Sequence, residues 1–137
     1  MVTISENTFK GIILHAENGY PHEVCGVIIG KDDIITEFKK CKNLNTTRAH
    51  DRYELDPDSF NMADEWARSR NLEIMGIYHS HPDHPSRPSE TDRESAWPGW
   101  YYIILSIQEG KFDNFRTWVL DETDTKFVEY NLSIRGQ

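Results

Sequence analysis

The chain has 137 residues, of which 37% are hydrophobic, and a chain of this length folds as one domain that buries roughly two-thirds of its unfolded surface. Its formal net charge of −8 argues against a protein that binds nucleic acid or anionic membrane surfaces. Since no apolar stretch approaches the roughly 20 residues of a membrane helix and no basic-then-hydrophobic leader is visible, we expect a cytoplasmic single domain over residues 1–137.

Hydrophobic periodicity predicts two longer helices. The first begins near Ser5 and ends at Asn18-Gly19, a pair that favours a left-handed stop. The second begins with Asp56 as its cap and Pro57 at its first position. Apolar residues recur at helical spacing along both, and the predicted inner faces are Phe9, Ile12, Ile13 and Ala16 in the first and Phe60, Ala63, Trp66 and Ala67 in the second.

Apolar runs between turn signals predict the strands. They cover residues 24–29, 34–39, 73–81, 101–107, 115–120 and 127–132, with a short helix at 91–96 and a polar loop or flap at 42–52. This pattern predicts an α/β domain with a curved, mostly antiparallel sheet flanked by helices. We expect four aromatic residues to form core or pocket wall rather than a platform for bases: Trp97, Trp100, Tyr101 and Tyr102.

Residues 79–92 carry the most chemistry in the chain. His79 and His81 lie at the end of the predicted strand 73–81 and point to the same face, and Asp92 follows eleven residues after His81. Two imidazoles and one carboxylate suit a catalytic zinc with three protein ligands and a fourth position for water. A polar loop with incidental histidines is the alternative for a His-x-His pair on its own.

Residues 79–84 also fit the His-x-His-x-Asp-His string of metallo-β-lactamase-like hydrolases. That fold requires further histidine ligands downstream, and no histidine follows His84. The chain is also short for that architecture. We therefore reject this alternative and expect Asp83 and His84 to be loop residues or supports for the ligands.

The two cysteines indicate reduced thiols. Cys25 and Cys41 form no Cys-x-x-Cys pair, which argues against a thiolate zinc site or a disulfide scaffold. Cys25 lies within the apolar run 24–29, so a buried core residue is favoured over a catalytic thiol.

These residues resemble a known family. His79-Ser80-His81-Pro82, Ser89 and Asp92 match the pattern His-x-His, seven residues, Ser-x-x-Asp of the JAMM (MPN+) metalloproteases, and residues 21–30 resemble the segment of that family that contains its glutamate. The resemblance spans nearly the whole chain. It implies a single JAMM/MPN domain with a cytidine-deaminase-like fold and zinc-dependent peptidase activity.

The resemblance also implies roles for individual residues. His79, His81 and Asp92 would hold one zinc ion per chain, which lowers the pKa of its water toward roughly 7. Glu23 would act as the general base on that water and return the proton to the leaving amine. Without the resemblance, Glu23 would be interpreted as a solvated residue at a strand end.

Two serines of the motif receive different interpretations. By resemblance, Ser89 would donate a hydrogen bond to the oxyanion of the tetrahedral intermediate. Residues 89–92 also read as a helix capping box, so a structural role for Ser89 stays open. Ser80 lies between the two histidines, faces the other side of the strand, and is given no catalytic part.

Shorter segments point to a substrate class. Residues 52–57, 76–82 and 87–92 resemble the small prokaryotic members of the family, which act on ubiquitin-like sulfur carriers in cysteine and thio-metabolite biosynthesis. The resemblance implies hydrolysis after the C-terminal Gly-Gly of such a carrier, with release of cysteine or a short extension. Residues 43–54 are the expected edge or flap for the extended carrier tail.

Two alternatives remain from other functional classes. A broader deconjugase would remove ubiquitin-like modifiers from lysine side chains. A non-catalytic module would hold zinc or the tail without turnover, and the presence of Glu23 together with all three metal ligands argues against it.

Overall fold

The computed structural model describes residues 1–121 and 126–136, and its framework is one sheet of eight strands in the order β7-β6-β5-β4-β2-β3-β1-β8. No helix within these described ranges is both long and apolar enough to cross a membrane. In chain order the elements are β1 Val2–Ser5, α1 Glu6–Gly19, β2 Cys25–Lys31, β3 Ile34–Cys41, α2 Pro57–Arg68, β4 Glu73–Pro82, α3 Glu90–Glu94, β5 Tyr101–Gln108, β6 Lys111–Leu120, β7 Phe127–Tyr130 and β8 Leu132–Arg135.

The sheet is mixed, with antiparallel pairing in the majority. Among the described residues, four of the seven neighbouring strand pairs are antiparallel and three are parallel. β4 lies inside the sheet, antiparallel to β2 and parallel to β5. Since Cys25 of β2 pairs with His79 of β4, the residues just before β2 meet the end of β4.

Both predicted helices are present, one on each face of the sheet. The Ser5 hydroxyl accepts a hydrogen bond from the Thr8 backbone N–H (3.3 Å) and caps α1, which buries Phe9 in the core cluster of its face. Asp56 caps α2, Pro57 opens it, and its buried alanines join the core of the opposite face. The expected caps and inner faces are therefore confirmed, because local periodicity determines both.

Two strand predictions were incomplete. β1 was not predicted, because four residues are too few to show a clear alternation of apolar and polar side chains, and β1 is followed immediately by α1. The predicted strand 127–132 is two strands, β7 and β8, which lie at opposite ends of the strand order and are joined only through Asn131. The sheet must therefore curve until its two edges approach each other, and the expected curvature is present.

Candidate active site

The predicted ligands meet where β4 ends. His79 and His81 project to the same side, with ring centroids 5.0 Å apart. Asp92 reaches them from α3, and Glu23 from the residues that precede β2. All four side chains are buried, with between 1% and 8% of each residue exposed. Residues from three separate segments of the chain thus form one buried polar cluster.

His81 is held in a defined orientation by the loop that follows it. Its Nδ1 lies 2.7 Å from the Pro85 carbonyl oxygen, and a carbonyl only accepts, so Nδ1 carries the hydrogen. Nε2 lies 3.0 Å from Oδ2 of Asp92. In the neutral imidazole a nitrogen lone pair would face a carboxylate oxygen, so either a proton or a metal ion must lie between the two atoms. Metal-binding histidines commonly donate their other ring N–H to a carbonyl in this way.

His79 leaves polar atoms without partners. Its Nε2 is 3.8 Å from Oδ1 of Asp92, and its Nδ1 is 3.5 Å from Oε1 of Glu23. Neither His79 Nδ1 nor Glu23 Oε1 has a hydrogen-bond partner within the described part of the chain, although both are buried. Unsatisfied buried polar atoms cost free energy and call for an explanation. Tyr53 stacks on the His79 ring at 4.4 Å and closes that side.

The cluster has the donor set of a metal site. Ligand atoms of Glu23, His79 and His81 all lie within 4.8 Å of one another. With both imidazoles neutral, the two carboxylates give the buried cluster a formal charge of −2, which a divalent cation neutralises. The unpartnered atoms and the charge both fit a bound metal ion.

Mutual interactions perturb the ionisation of the cluster. Burial acts to lower the pKa of His79, but the carboxylates of Asp92 and Glu23 outweigh burial and the pKa is raised. Burial acts to raise the pKa of Asp92, but His79, the His81 ring and the Ser89 backbone N–H hold it well below its usual range. Asp92 is therefore a carboxylate at neutral pH, the form that binds metal.

Ser89 caps the helix that carries Asp92. Its hydroxyl oxygen accepts a hydrogen bond from the Asp92 backbone N–H at 3.0 Å, and Asp92 Oδ2 accepts one from the Ser89 backbone N–H at 2.9 Å. The predicted capping box is therefore present. Neither bond uses the hydroxyl hydrogen of Ser89, so the cap leaves this hydrogen available to a ligand in the neighbouring cleft.

Ser80 lies outside the cluster but supports it. It is fully buried, and its hydroxyl accepts a hydrogen bond of 2.9 Å from the Val24 backbone N–H. The Ser80 backbone N–H donates to the Val24 carbonyl at 3.1 Å. These bonds fix the residue next to Glu23, a supporting contact that the sequence pattern did not reveal.

The segment predicted as a flap covers Glu23. The Glu23 backbone N–H donates to the Ala49 carbonyl at 2.5 Å. Asn43 Nδ2 donates to the carbonyls of Glu23 (3.1 Å) and Arg52 (3.2 Å). These contacts explain why Glu23 is buried rather than solvated, which corrects the interpretation from its position alone. No sequence signal marked Asn43 as the anchor.

The remaining candidates take no part in the cluster. Cys25 and Cys41 are free and buried, and burial raises the pKa of both thiols, that of Cys41 to about 11. They are therefore protonated at neutral pH and poor nucleophiles. Asp83 accepts hydrogen bonds from the Tyr20 hydroxyl (2.5 Å) and the Glu109 backbone N–H (2.8 Å), and His84 is exposed.

Two depressions flank the cluster. The arginine cleft, about 390 Å³, is lined by Glu23, Arg48, Arg52, His81, Arg87 and Ser89 among others. The aromatic groove, about 530 Å³, is lined by Tyr53, Leu55, Phe60, Ile77, Trp97 and Trp100 among others. The expectation that Trp97 and Trp100 form pocket wall agrees with this placement.

Comparison with known proteins assigns the fold to the JAMM/MPN class. Within that class, the model of prokaryotic homologs of the JAB domain matches residues 5–121, and the chain belongs to this family. A desampylase of Haloferax volcanii is 37% identical over 112 residues, which cover 77% of this chain and 80% of the relative. A CysO-cysteine peptidase of Mycobacterium tuberculosis is 25% identical over 121 residues, which cover 86% and 82%.

A solved structure shares the fold. It is described as a JAMM metalloprotease-like zinc site in the proteasome and signalosome. Its TM-score is 0.61 at 20% identity, and the match covers 98% of each chain. The expected fold class, a single JAMM/MPN domain, is confirmed, and the protein is a peptidase of the JAMM type.

Proposed function

We propose that this protein is a zinc peptidase that hydrolyses the bond after the C-terminal Gly-Gly of a ubiquitin-like sulfur carrier and releases cysteine or a short extension. The observation that carries the proposal is the buried cluster of two imidazoles and two carboxylates, in which His79 Nδ1 and Glu23 Oε1 have no hydrogen-bond partner among the described residues. The similarity to a CysO-cysteine peptidase supports a substrate in which a protein is joined to cysteine.

One zinc ion would be held by His79, His81 and Asp92. The Pro85 carbonyl orients His81 (2.7 Å), and the Ser89 backbone orients the carboxylate of Asp92 (2.9 Å). When bound, zinc supplies Lewis-acid chemistry that activates water near neutral pH and polarises a carbonyl. The protein residues hold the reacting groups in place around it.

Glu23 is proposed as the general base and acid. Its Oε1 is buried and has no hydrogen-bond partner among the described residues, and Glu23 is one of the residues that line the arginine cleft. It accepts one proton of the attacking water as the hydroxyl oxygen bonds to the acyl carbon. It then gives that proton to the amine nitrogen as the C–N bond breaks, which balances the hydrolysis.

Ser89 is proposed as an oxyanion donor. Its hydroxyl oxygen is held by the Asp92 backbone N–H, and the hydroxyl hydrogen is not used by the cap. A donor fixed in this way stabilises the negative charge on the acyl oxygen without reorganisation during the reaction. The capping role and the oxyanion role are therefore compatible.

The aromatic groove is the proposed path of the carrier tail. Tyr53 lines this groove and stacks on His79 at 4.4 Å, so a chain lying in the groove would run beside the cluster, with the Tyr53 ring between the chain and His79. Glycines at the cleaved bond carry no side chains to collide with the buried site. The apolar walls suit a substrate segment with hydrophobic side chains.

Removal of ubiquitin-like modifiers from lysine is a second candidate function. The specific observation in its favour is the 37% identity to a desampylase, which exceeds the 25% identity to the CysO-cysteine peptidase. The two candidates share the cluster and the tail path and differ only in the leaving amine.

Intact-mass measurement tests the proposal. The zinc-loaded protein is incubated with a sulfur carrier that ends in Gly-Gly-Cys and with the same carrier joined to a lysine side chain. We expect loss of the terminal cysteine alone, and replacement of the last glycine by a bulky residue should block it. Cleavage of the lysine conjugate alone would favour the second candidate, and cleavage at many internal bonds of unfolded proteins would contradict both.

A further inference from the structure

The arginine cleft contains three arginines that the chemistry of hydrolysis does not use, and the same lining contains three acids. Three arginines, Arg48, Arg52 and Arg87, line it within a chain whose formal net charge is −8. An acidic protein that concentrates guanidinium groups beside its reaction centre offers a local attraction for an anion.

Arg48 is already paired. Its guanidinium forms two hydrogen bonds with the carboxylate of Asp51, one of them 3.1 Å from Nε to Oδ1. The acid Glu90 at the rim is likewise paired with Arg93. These two ion pairs neutralise two carboxylates of the cleft wall, and Glu23 remains as the unpaired acid.

Arg52 and Arg87 form no ion pair in the part of the chain that the structure describes. The pKa of Asp51 is lowered mainly by its hydrogen bond with Arg48, and Arg52 contributes to this shift only through its charge. Arg87 is exposed at the cleft. Two guanidinium groups are therefore available for a ligand.

Both arginines extend from anchored backbone. The Arg52 carbonyl accepts a hydrogen bond from Asn43 Nδ2 at 3.2 Å. Ser86, which precedes Arg87, is buried; its hydroxyl donates to Asn114 Oδ1 at 2.5 Å and its carbonyl accepts from Trp118 Nε1 at 3.1 Å. Fixed attachment points reduce the ordering cost of binding an anion.

The proposed role of Glu23 would place the leaving amine on the side of the arginine cleft. Glu23 lines this cleft and does not line the aromatic groove. The proposed function has Glu23 return its proton to the departing nitrogen, and the present inference rests on that function. Arg52 and Tyr53 are neighbours in the chain, yet Arg52 lines the cleft and Tyr53 the groove. The carrier tail and the leaving group would therefore occupy opposite sides of this segment.

We propose that Arg52 and Arg87 form a carboxylate-binding subsite for the leaving group. The subsite selects carriers that are extended by one residue or a short peptide with a free C-terminal carboxylate over carriers joined to lysine. Guanidinium groups bind carboxylates through paired, charge-assisted hydrogen bonds. A lysine side chain within a protein presents no carboxylate at this position. A cleft of about 390 Å³ is within the size range of small-ligand sites.

A pair of matched substrates tests the subsite. One carrier ends in Gly-Gly-Ala with a free carboxylate, and the other is identical except for a C-terminal carboxamide. Alanine replaces cysteine because a thiol would itself bind zinc. For the zinc-loaded protein we expect kcat/KM to be roughly 10- to 100-fold higher for the acid than for the amide, mainly through KM.

Arginine variants identify the groups responsible. Arg52→Ala and Arg87→Ala should each bring the ratio of kcat/KM for the acid to kcat/KM for the amide toward one. Arg87→Lys should give an intermediate ratio, because lysine keeps the positive charge but lacks the paired N–H donors of the guanidinium group. Arg68→Ala is the matched control, since Arg68 forms a 2.8 Å surface ion pair with Asp64 on α2 and should keep the wild-type ratio. Fluorescence anisotropy with both carriers, in a Glu23→Gln background, measures the same preference as binding without turnover.

The outcomes separate this inference from the proposed function. Equal rates and equal binding of acid and amide would overturn the subsite while leaving the peptidase intact. An equal loss on both substrates in the arginine variants would also overturn it, since it would place the arginines against the carrier surface. If no extended carrier is cleaved, the proposed function fails, and the anisotropy ratio still decides whether the subsite exists.

Discussion

β4 separates two histidine environments that lie on opposite faces of the sheet. On the α1 face, His15 Nδ1 lies 2.6 Å from the Tyr78 hydroxyl. Burial, assisted by the charge of Lys40, lowers the pKa of His15 to about 4. On the α2 face, His79 lies between Tyr53, Asp92 and Glu23, and its pKa is raised.

The difference shows how a structural histidine differs from a functional one. His15 and Tyr78 satisfy each other, and the core is shaped around them: a Cβ at Gly26 would lie 2.4 Å from the Tyr78 ring. His79 is more deeply buried, yet its Nδ1 has no hydrogen-bond partner among the described residues. A buried histidine with a neutral hydrogen-bond partner is part of the core packing. A buried histidine beside carboxylates, with a ring nitrogen that lacks a hydrogen-bond partner, can bind a ligand.

Removal of a metal ligand should have the largest effect. We expect Asp92→Asn to lose bound zinc on dialysis and to reduce turnover to background, because the amide is a weaker ligand of similar size. His84→Ala, an exposed histidine of the same loop, is the control and should retain one zinc per chain. Elemental analysis of the purified proteins measures both. Two metal ions per wild-type chain, or full retention by Asp92→Asn, would contradict the three-ligand site.

Glu23→Gln should separate chemistry from metal binding. The substitution keeps the size of the side chain but removes the basic group, so we expect turnover to fall by about 10²–10⁴-fold while zinc content and fold are retained. Glu37→Gln, on the exposed surface, should behave as wild type. Steady-state kinetics alongside circular dichroism and elemental analysis provide the comparison. A fully active Glu23→Gln protein would show that another group moves the proton.

Ser80→Ala tests whether the hydrogen bond between Ser80 and Val24 affects the active site. The change leaves the buried Val24 N–H without its 2.9 Å partner, which should lower the free energy of unfolding by about 1–3 kcal/mol. Because Val24 adjoins Glu23, we also expect kcat to fall severalfold, and Ser80→Thr should restore it in part.

Thr8→Val is the control for Ser80. The Thr8 hydroxyl donates to the Thr36 carbonyl at 2.7 Å, away from the cluster. Its loss should cost similar stability, measured by urea unfolding, with no change in kcat. Equal losses of kcat in both variants would show that the Ser80 effect reflects stability alone.

The smallest expected effect concerns His15, the histidine on the α1 face of the sheet. Since the folded-state pKa of His15 is lowered to about 4, the unfolded chain binds a proton between roughly pH 6.5 and 4 that the folded protein does not. His15 therefore makes stability fall as the pH drops through this window and contributes nothing at pH 7 and above. Between pH 7 and pH 5 the free energy of unfolding should fall by about 1 kcal/mol less in His15→Gln than in the wild type, after allowance for solvent screening. Denaturant unfolding of the zinc-loaded proteins at both pH values measures these free energies. If the fall between pH 7 and pH 5 is the same in wild type and variant, His15 is protonated in the folded protein at pH 5.

The sequence by itself determined the elements and contacts that depend on near neighbours. Alternation along β4 placed His79 and His81 on one face, and the spacing of Ser89 and Asp92 produced the capping box. These predictions succeeded because each depends on the geometry of a few consecutive residues.

Only the tertiary structure decided which distant groups complete the site. Glu23 is buried because Ala49 and Asn43 bind its backbone from another segment, and Tyr53 reaches His79 from the same segment. The division of residues 127–132 between β7 and β8 likewise depends on the partners at each edge of the sheet. Hydrogen bonds between segments twenty or more residues apart have no fixed period in the sequence, so these arrangements follow from how the whole chain packs.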